Sequence, residues 1–128
     1  RLNSILKKRK KIYSVYKRIL KSDKFSLQKF EKNISSIPWT LSIKLNKNFT
    51  QKSRNSLISE LKKKGIESRN GYYCPNELSI FKKKYKLPIS SDLSKRVISL
   101  PIFEELKVKE IYYICKKFNE ILNKWIYQ

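Results

Sequence analysis

Leu93-Ser94-Lys95-Arg96-Val97-Ile98-Ser99-Leu100-Pro101 is the stretch on which the fold turns. Val97, Ile98 and Leu100 predict a short strand, and Pro101 stops it because proline has no N–H for a ladder. Just before it, Ser90-Ser91 reads as the cap of a single helical turn through Ser94. Pro88 then ends an earlier segment, in which Pro75 starts a short helix carrying Leu78, Phe81 and Tyr85 inward. Downstream, Val108, Ile111, Cys115, Phe118, Leu122 and Trp125 recur at alternating three- and four-residue steps, which predicts an amphipathic helix from about Lys107 to Trp125.

Reading back from the same stretch, Asn70-Gly71 signals a tight hairpin or a bend. Ile66–Arg69 is expected to be a second short strand. Gly65 sits where a helix ends in the left-handed region, and Thr50 is placed to cap its start, so a helix is expected from Gln51 to Lys64 with Leu57, Ile58 and Leu61 buried. The run Trp39-Thr40-Leu41-Ser42-Ile43-Lys44-Leu45 alternates strictly, which puts Trp39, Leu41, Ile43 and Leu45 on one face of a strand half-buried against helices. Phe25 to Ile37 carries no decisive pattern. The chain opens with a basic amphipathic helix, Leu2 to Leu20, whose stripe is Leu2, Ile5, Leu6, Ile12, Tyr13, Tyr16, Ile19 and Leu20. Core packing is the expected use of that stripe, with docking on a membrane surface or on a partner as the other uses of such a helix. The expected fold is therefore α+β: a small, mostly antiparallel sheet flanked by two long helices. Its parts are a leading helix (1–21), a sheet with short helices (22–106) and a closing helix (107–125).

The chain has 128 residues, enough for one domain with a modest core. Its 31 Lys plus Arg exceed its 10 Asp plus Glu by 21 charges, a balance that points to nucleic acid or an anionic surface. Against that, lysine dominates the basic residues, whereas arginine is the residue of choice for bidentate phosphate and base contacts. The absence of alanine and the abundance of Ile, Lys, Asn and Ser fit a coding bias spread over the surface. The Lys62–Lys64 and Lys82–Lys84 clusters are read as solvated helix ends, where cations suit the dipole.

Catalytic material is scarce. With no histidine there is no imidazole base, and the two cysteines, Cys74 and Cys115, are too far apart and too few for a zinc site, so no metal is expected. They read as reduced thiols of a cytoplasmic protein, one beside a loop and one on a helix face. No phosphate-cradling glycine loop occurs. A complete enzyme is not expected, and a chain that opens on Arg1 and holds no methionine is expected to be part of something longer. Tyr72, Tyr73, Phe81, Tyr85, Tyr112 and Tyr113 stand among lysines and offer a second reading, a basic nucleic-acid-binding module. A standalone interaction domain, docking through the first helix, is a third.

Several segments together resemble one family. They are Arg9 to Tyr16, Pro38-Trp39, Leu61 through Ile66, Ser68-Arg69, Tyr72-Tyr73-Cys74-Pro75, the Leu93–Pro101 block, and Glu110-Ile111. In that order they resemble the C-terminal part of the DegT/DnrJ/EryC1/StrS sugar aminotransferases across essentially the whole chain. Two departures stand out: Asn76-Glu77 where the family commonly has His, and Asn70 where relatives often have Pro.

The resemblance implies the small domain of a fold-type-I pyridoxal-phosphate enzyme, which aminates a keto group of a nucleotide-activated sugar with an amino-acid donor, as a homodimer. It also implies that pyridoxal phosphate is bound by a large domain absent from these residues, so that this chain alone carries no catalytic residue. Arg69 is then expected to face the cleft and pair with a phosphate or carboxylate, with a surface ion pair as its other reading. Tyr72 and Tyr73 line the cleft entrance or cover the sheet, and Arg96 is structural.

Overall fold

In a computed structural model of the chain, which describes residues 1–81 and 85–125, eight regular elements alternate. They are α1 (Leu2–Ile19), β1 (Phe25–Leu27), β2 (Leu41–Leu45), α2 (Gln51–Lys63), β3 (Arg69–Asn70), α3 (Pro88–Arg96), β4 (Val97–Leu100) and α4 (Val108–Lys124). The four strands form one antiparallel sheet in the order β1-β2-β4-β3. The class is α+β, with long helices at both ends of the chain.

Register divides the sheet into two unlike faces. Leu45 faces Phe25, Ile43 lies between Leu27 and Ile98, and Leu41 pairs with Leu100. These side chains meet Ile12, Val15 and Tyr16 of α1, Leu57 and Leu61 of α2, and Ile111, Cys115, Phe118 and Leu122 of α4 in a single buried cluster. The helices therefore cover one face only. Phe25 and Phe118 pack edge to face at 5.3 Å, and the buried Tyr16 hydroxyl donates to the Pro101 carbonyl at 2.8 Å, tying α1 to the end of β4.

Local chemistry sets the helix limits. The Thr50 hydroxyl accepts from Ser53 N at 3.2 Å and caps α2. Gly65 closes it at φ +74°, with Ile66 N donating to Leu61 O and Gly65 N to Lys62 O, the two bonds of a Schellman ending. α4 starts with the Glu110 carboxylate accepting from Lys107 N at 2.7 Å.

The structure corrects several expectations. Trp39 is not on the buried face of β2: the strand begins two residues later, at Leu41, and Trp39 is 67% exposed. Phe25–Leu27 is a strand, its pattern too short to read alone. Pro75 opens only one 3-10 turn, Pro75–Glu77, so Leu78, Phe81 and Tyr85 do not point inward but are exposed. Lys82–Lys84, read as a helix-end cluster, lie outside the described residues. Pro88 starts rather than ends a helix: it stands in the first turn of α3, where a missing N–H costs nothing. Asn70-Gly71 is no hairpin turn, because Asn70 pairs with Ile98 and Gly71 N donates to Val97 O. In the stripes, Leu2 and Val108 are exposed, while Val15, Ile114 and Ile121 are buried.

Candidate functional site

The uncovered face of the sheet is the floor of a cleft of about 1620 Å³. Alternation builds that floor: Ser26, Lys44 and Val97 lie in one cross-strand row, and Ser42, Ser99 and Arg69 in the next. The same two-residue period that buries Leu41, Ile43 and Leu45 turns the polar residues of β2 outward. Aromatic side chains form much of the wall, among them Trp39, Tyr72, Tyr73, Phe103 and Tyr113.

All three residues singled out from the sequence line this cleft. Arg69 stands on the edge strand β3 and meets Glu67, its Nη2 donating to Oε1 at 2.7 Å and its Nε at 3.3 Å. The surface ion pair is thus present, and it sits in the cleft. The bond from Arg69 holds the Glu67 carboxyl below the usual carboxylate range. Tyr72, 79% exposed, stacks on Trp39 with ring centroids 6.5 Å apart and planes at 24°. Tyr73 is also exposed, and the neighbouring Cys74 is buried with a free thiol.

Behind the cleft wall lies a polar joint that the sequence did not reveal. Arg54 of α2 is only 2% exposed and has no carboxylate within salt-bridge distance among the described residues. Instead its Nη1 donates to the carbonyls of Ser94 and Val97 at 3.0 and 3.1 Å, and its Nε to Asn55 Oδ1 at 2.9 Å. Burial pushes the guanidinium pKa down, while the nearby Tyr73 and Glu77 act against that. The Ser94 hydroxyl in turn donates to Glu77 at 3.3 Å and to Ser91 O at 2.9 Å. Asn76 bonds the backbone of Tyr85. Arg96 is structural: it grips Asp92 through two nitrogens and donates to the Leu45 carbonyl. Arg9, Trp39, Lys44, Ser42 and Ser99 also line the cleft and were not singled out. For the β2 residues the signal was present, since a strand whose apolar face is buried must present its other face elsewhere.

Chemically, this is a holding site. It offers a guanidinium, serine and tyrosine hydroxyls and flat aromatic surfaces, but no imidazole base, because the chain has no histidine. That set suits a polar ligand with an anionic group and a ring.

The family model of the DegT/DnrJ/EryC1/StrS aminotransferase family matches residues 1–119. GDP-perosamine synthase from Escherichia coli O157:H7 is 30% identical over 119 residues, covering 92% of this chain and 32% of that protein. Among solved structures, Spr1654 from Streptococcus pneumoniae, described as a sugar aminotransferase, superposes in its apo form with a TM-score of 0.88 at 23% identity, over 95% of this chain and 32% of its own. Helicobacter pylori PseC, an aminotransferase involved in the biosynthesis of pseudoaminic acid, gives 0.82 at 19%, over 94% and 33%. These two likenesses carry the fold. The chain thus spans about a third of the length of each relative, and it belongs to the DegT/DnrJ/EryC1/StrS aminotransferase family.

Proposed function

We propose that residues 1–128 are the C-terminal small domain of a pyridoxal-phosphate-dependent aminotransferase. The whole protein would pass an amino group from an amino-acid donor to a keto group of a nucleotide-activated sugar, in the cytoplasm and as a homodimer. The observation that carries this reading is the convergence of Arg69, Tyr72 and Tyr73 on one cleft over the open sheet face, in a chain of this family. Arg69 is suited to a phosphate of the nucleotide, and Tyr72 and Tyr73 to its rings.

Pyridoxal phosphate supplies the electron sink for amino transfer when bound. Its demands are a lysine, an acidic partner for the ring nitrogen and a phosphate cradle, and the cleft residues do not fit them. The cleft lysines Lys29 and Lys44 are exposed, and neither reaches a carboxylate within salt-bridge distance among the described residues. In this reading the cofactor belongs to a large domain outside these residues, and the chain contributes substrate holding rather than a catalytic group.

The second reading, nucleic-acid binding, rests on the net charge of +21 and on aromatic residues standing among lysines. Both are tested by titrating the isotope-labelled chain with a UDP- or GDP-linked sugar and, separately, with single-stranded DNA. The amide shifts are expected to gather at Ser42, Ser99, Arg69, Tyr72 and Tyr73 with the sugar nucleotide. A nucleotide response confined to the outer face of α1, or a tighter response to DNA, would refute the proposal.

A further inference from the structure

Arg69 does not face the cleft unaccompanied. Glu67 lies two residues before it, and alternate residues of an extended chain share a face. Its Oε1 takes both Nη2 and Nε of the guanidinium, at 2.7 and 3.3 Å. Both side chains are about three-quarters exposed, at 77% and 76%, and both line the cleft. A pair so wet is weak and breaks readily. Of the other charges in the cleft, Lys29 and Lys44 are exposed and reach no carboxylate within salt-bridge distance among the described residues, while two more are engaged with backbone. Glu110 holds Lys107 N at the start of α4, and Arg9 donates to the Trp39 carbonyl at 3.3 Å.

The donors that grip Glu67 are the ones a phosphate would need. A ligand carboxylate that replaced Glu67 would exchange one carboxylate for a like one and gain little. A diphosphate brings more charge and more acceptor oxygens to the same fork, so the exchange favours it. We propose that Glu67 is a built-in competitor at Arg69, occupying the guanidinium so that every anion must displace it, an exchange from which a diphosphate gains more than a single carboxylate does. This rests on the reading of Arg69 as the phosphate-holding residue. It sets a threshold for anion binding at Arg69, which a diphosphate clears more easily than an amino-acid donor's single carboxylate.

The test is calorimetric or NMR titration of the 128-residue chain with inorganic pyrophosphate and with acetate, at one ionic strength, for wild type, Glu67→Gln, Arg69→Leu and the double variant. Glu67→Gln is expected to tighten pyrophosphate binding about threefold to fivefold, the scale of an exposed ion pair. Acetate should gain by about the same factor or less, since either anion must displace the same carboxylate and the more highly charged one is repelled more by it. Arg69→Leu should weaken pyrophosphate, and in that background Glu67→Gln should change nothing. If Glu67→Gln leaves both ligands unaffected, or tightens them equally with and without Arg69, the competitor is refuted, while a loss in Arg69→Leu still upholds Arg69 as the phosphate site. If Arg69→Leu binds pyrophosphate as wild type does, or wild type binds none, both assignments fall.

Discussion

Arg54 shows how much one buried side chain can govern. It joins α2 to the α3–β4 junction through two hydrogen bonds and donates a third to its neighbour Asn55, with no carboxylate within salt-bridge distance among the described residues. Replacing it with Met keeps the apolar stem but leaves the Ser94 and Val97 carbonyls without their donor. Arg54→Met is therefore expected to lower unfolding free energy by about 2–4 kcal/mol in urea titrations, and a Lys, lacking the fork, should restore little of it. The opposite case is Ser68, whose buried hydroxyl has no hydrogen-bond partner among the described residues. Ser68→Ala is expected to be neutral or to stabilise by up to about 1 kcal/mol in the same assay. Neither residue could be picked out in advance, since their roles depend on what α3 and β4 bring beside them. Arg69, Tyr72 and Tyr73, proposed here as substrate contacts, were singled out because they sit beside a turn-rich strand end, where chains commonly present functional groups, and all three line the cleft.

At the scale of elements, capping and periodicity carried most of the information. Thr50 and Gly65 bracket α2 in both sequence and structure. Thr50→Ala is expected to cost about 1 kcal/mol by losing the bond to Ser53 N. Gly65→Ala should cost about as much through its left-handed backbone, although no atom lies within 4 Å of the added methyl. Gly71→Ala should instead fail by collision, its Cβ meeting Val97 Cγ1 at 2.9 Å. Thermal unfolding of the three variants checks these costs. Segments without period were the ones misread. Phe25–Leu27 becomes a strand only because β2 lies beside it. Trp39 fits the alternation of β2 but precedes the first ladder pair, so its ring turns to Tyr72 instead. Proline marked both boundaries: Pro75 does start a helix, but only a single 3-10 turn, and Pro88 starts one where an end was expected.

Across the whole molecule, one face of the sheet makes the core and the other makes the site. The core side carries a pH signature. Burial pushes the Cys115 thiol from 9.0 up to about 12, and it raises the Tyr16 and Tyr13 hydroxyls above their usual 10.0. A raised folded pKa means that the native state holds its protons longer than the unfolded chain. Stability from these groups is therefore full below about pH 9 and is lost as pH climbs through the raised values. Unfolding free energy is expected to fall steadily above pH 9, and Cys115→Ala should flatten the portion between pH 9 and 12. The cleft side is where we propose that the substrate is held, and the chain's family was legible from Leu93–Pro101 and the segments around it before any geometry was known. The covering of the core face by all three longer helices was not, because stripes show that a helix packs without showing on which side of a sheet.

The central claim is that this chain holds the substrate of a sugar-nucleotide aminotransferase. Its most direct test is to express the intact reading frame containing these residues, supply pyridoxal phosphate and an amino-acid donor, and follow amination of a nucleotide-linked keto-sugar by mass spectrometry. We expect the amino-sugar nucleotide to form, and Arg69→Leu to raise KM for the nucleotide-sugar about tenfold or more, the loss of a charge-assisted phosphate contact. A folded, cofactor-loaded protein that aminates no nucleotide-sugar, or an Arg69→Leu variant with unchanged KM, would contradict the account.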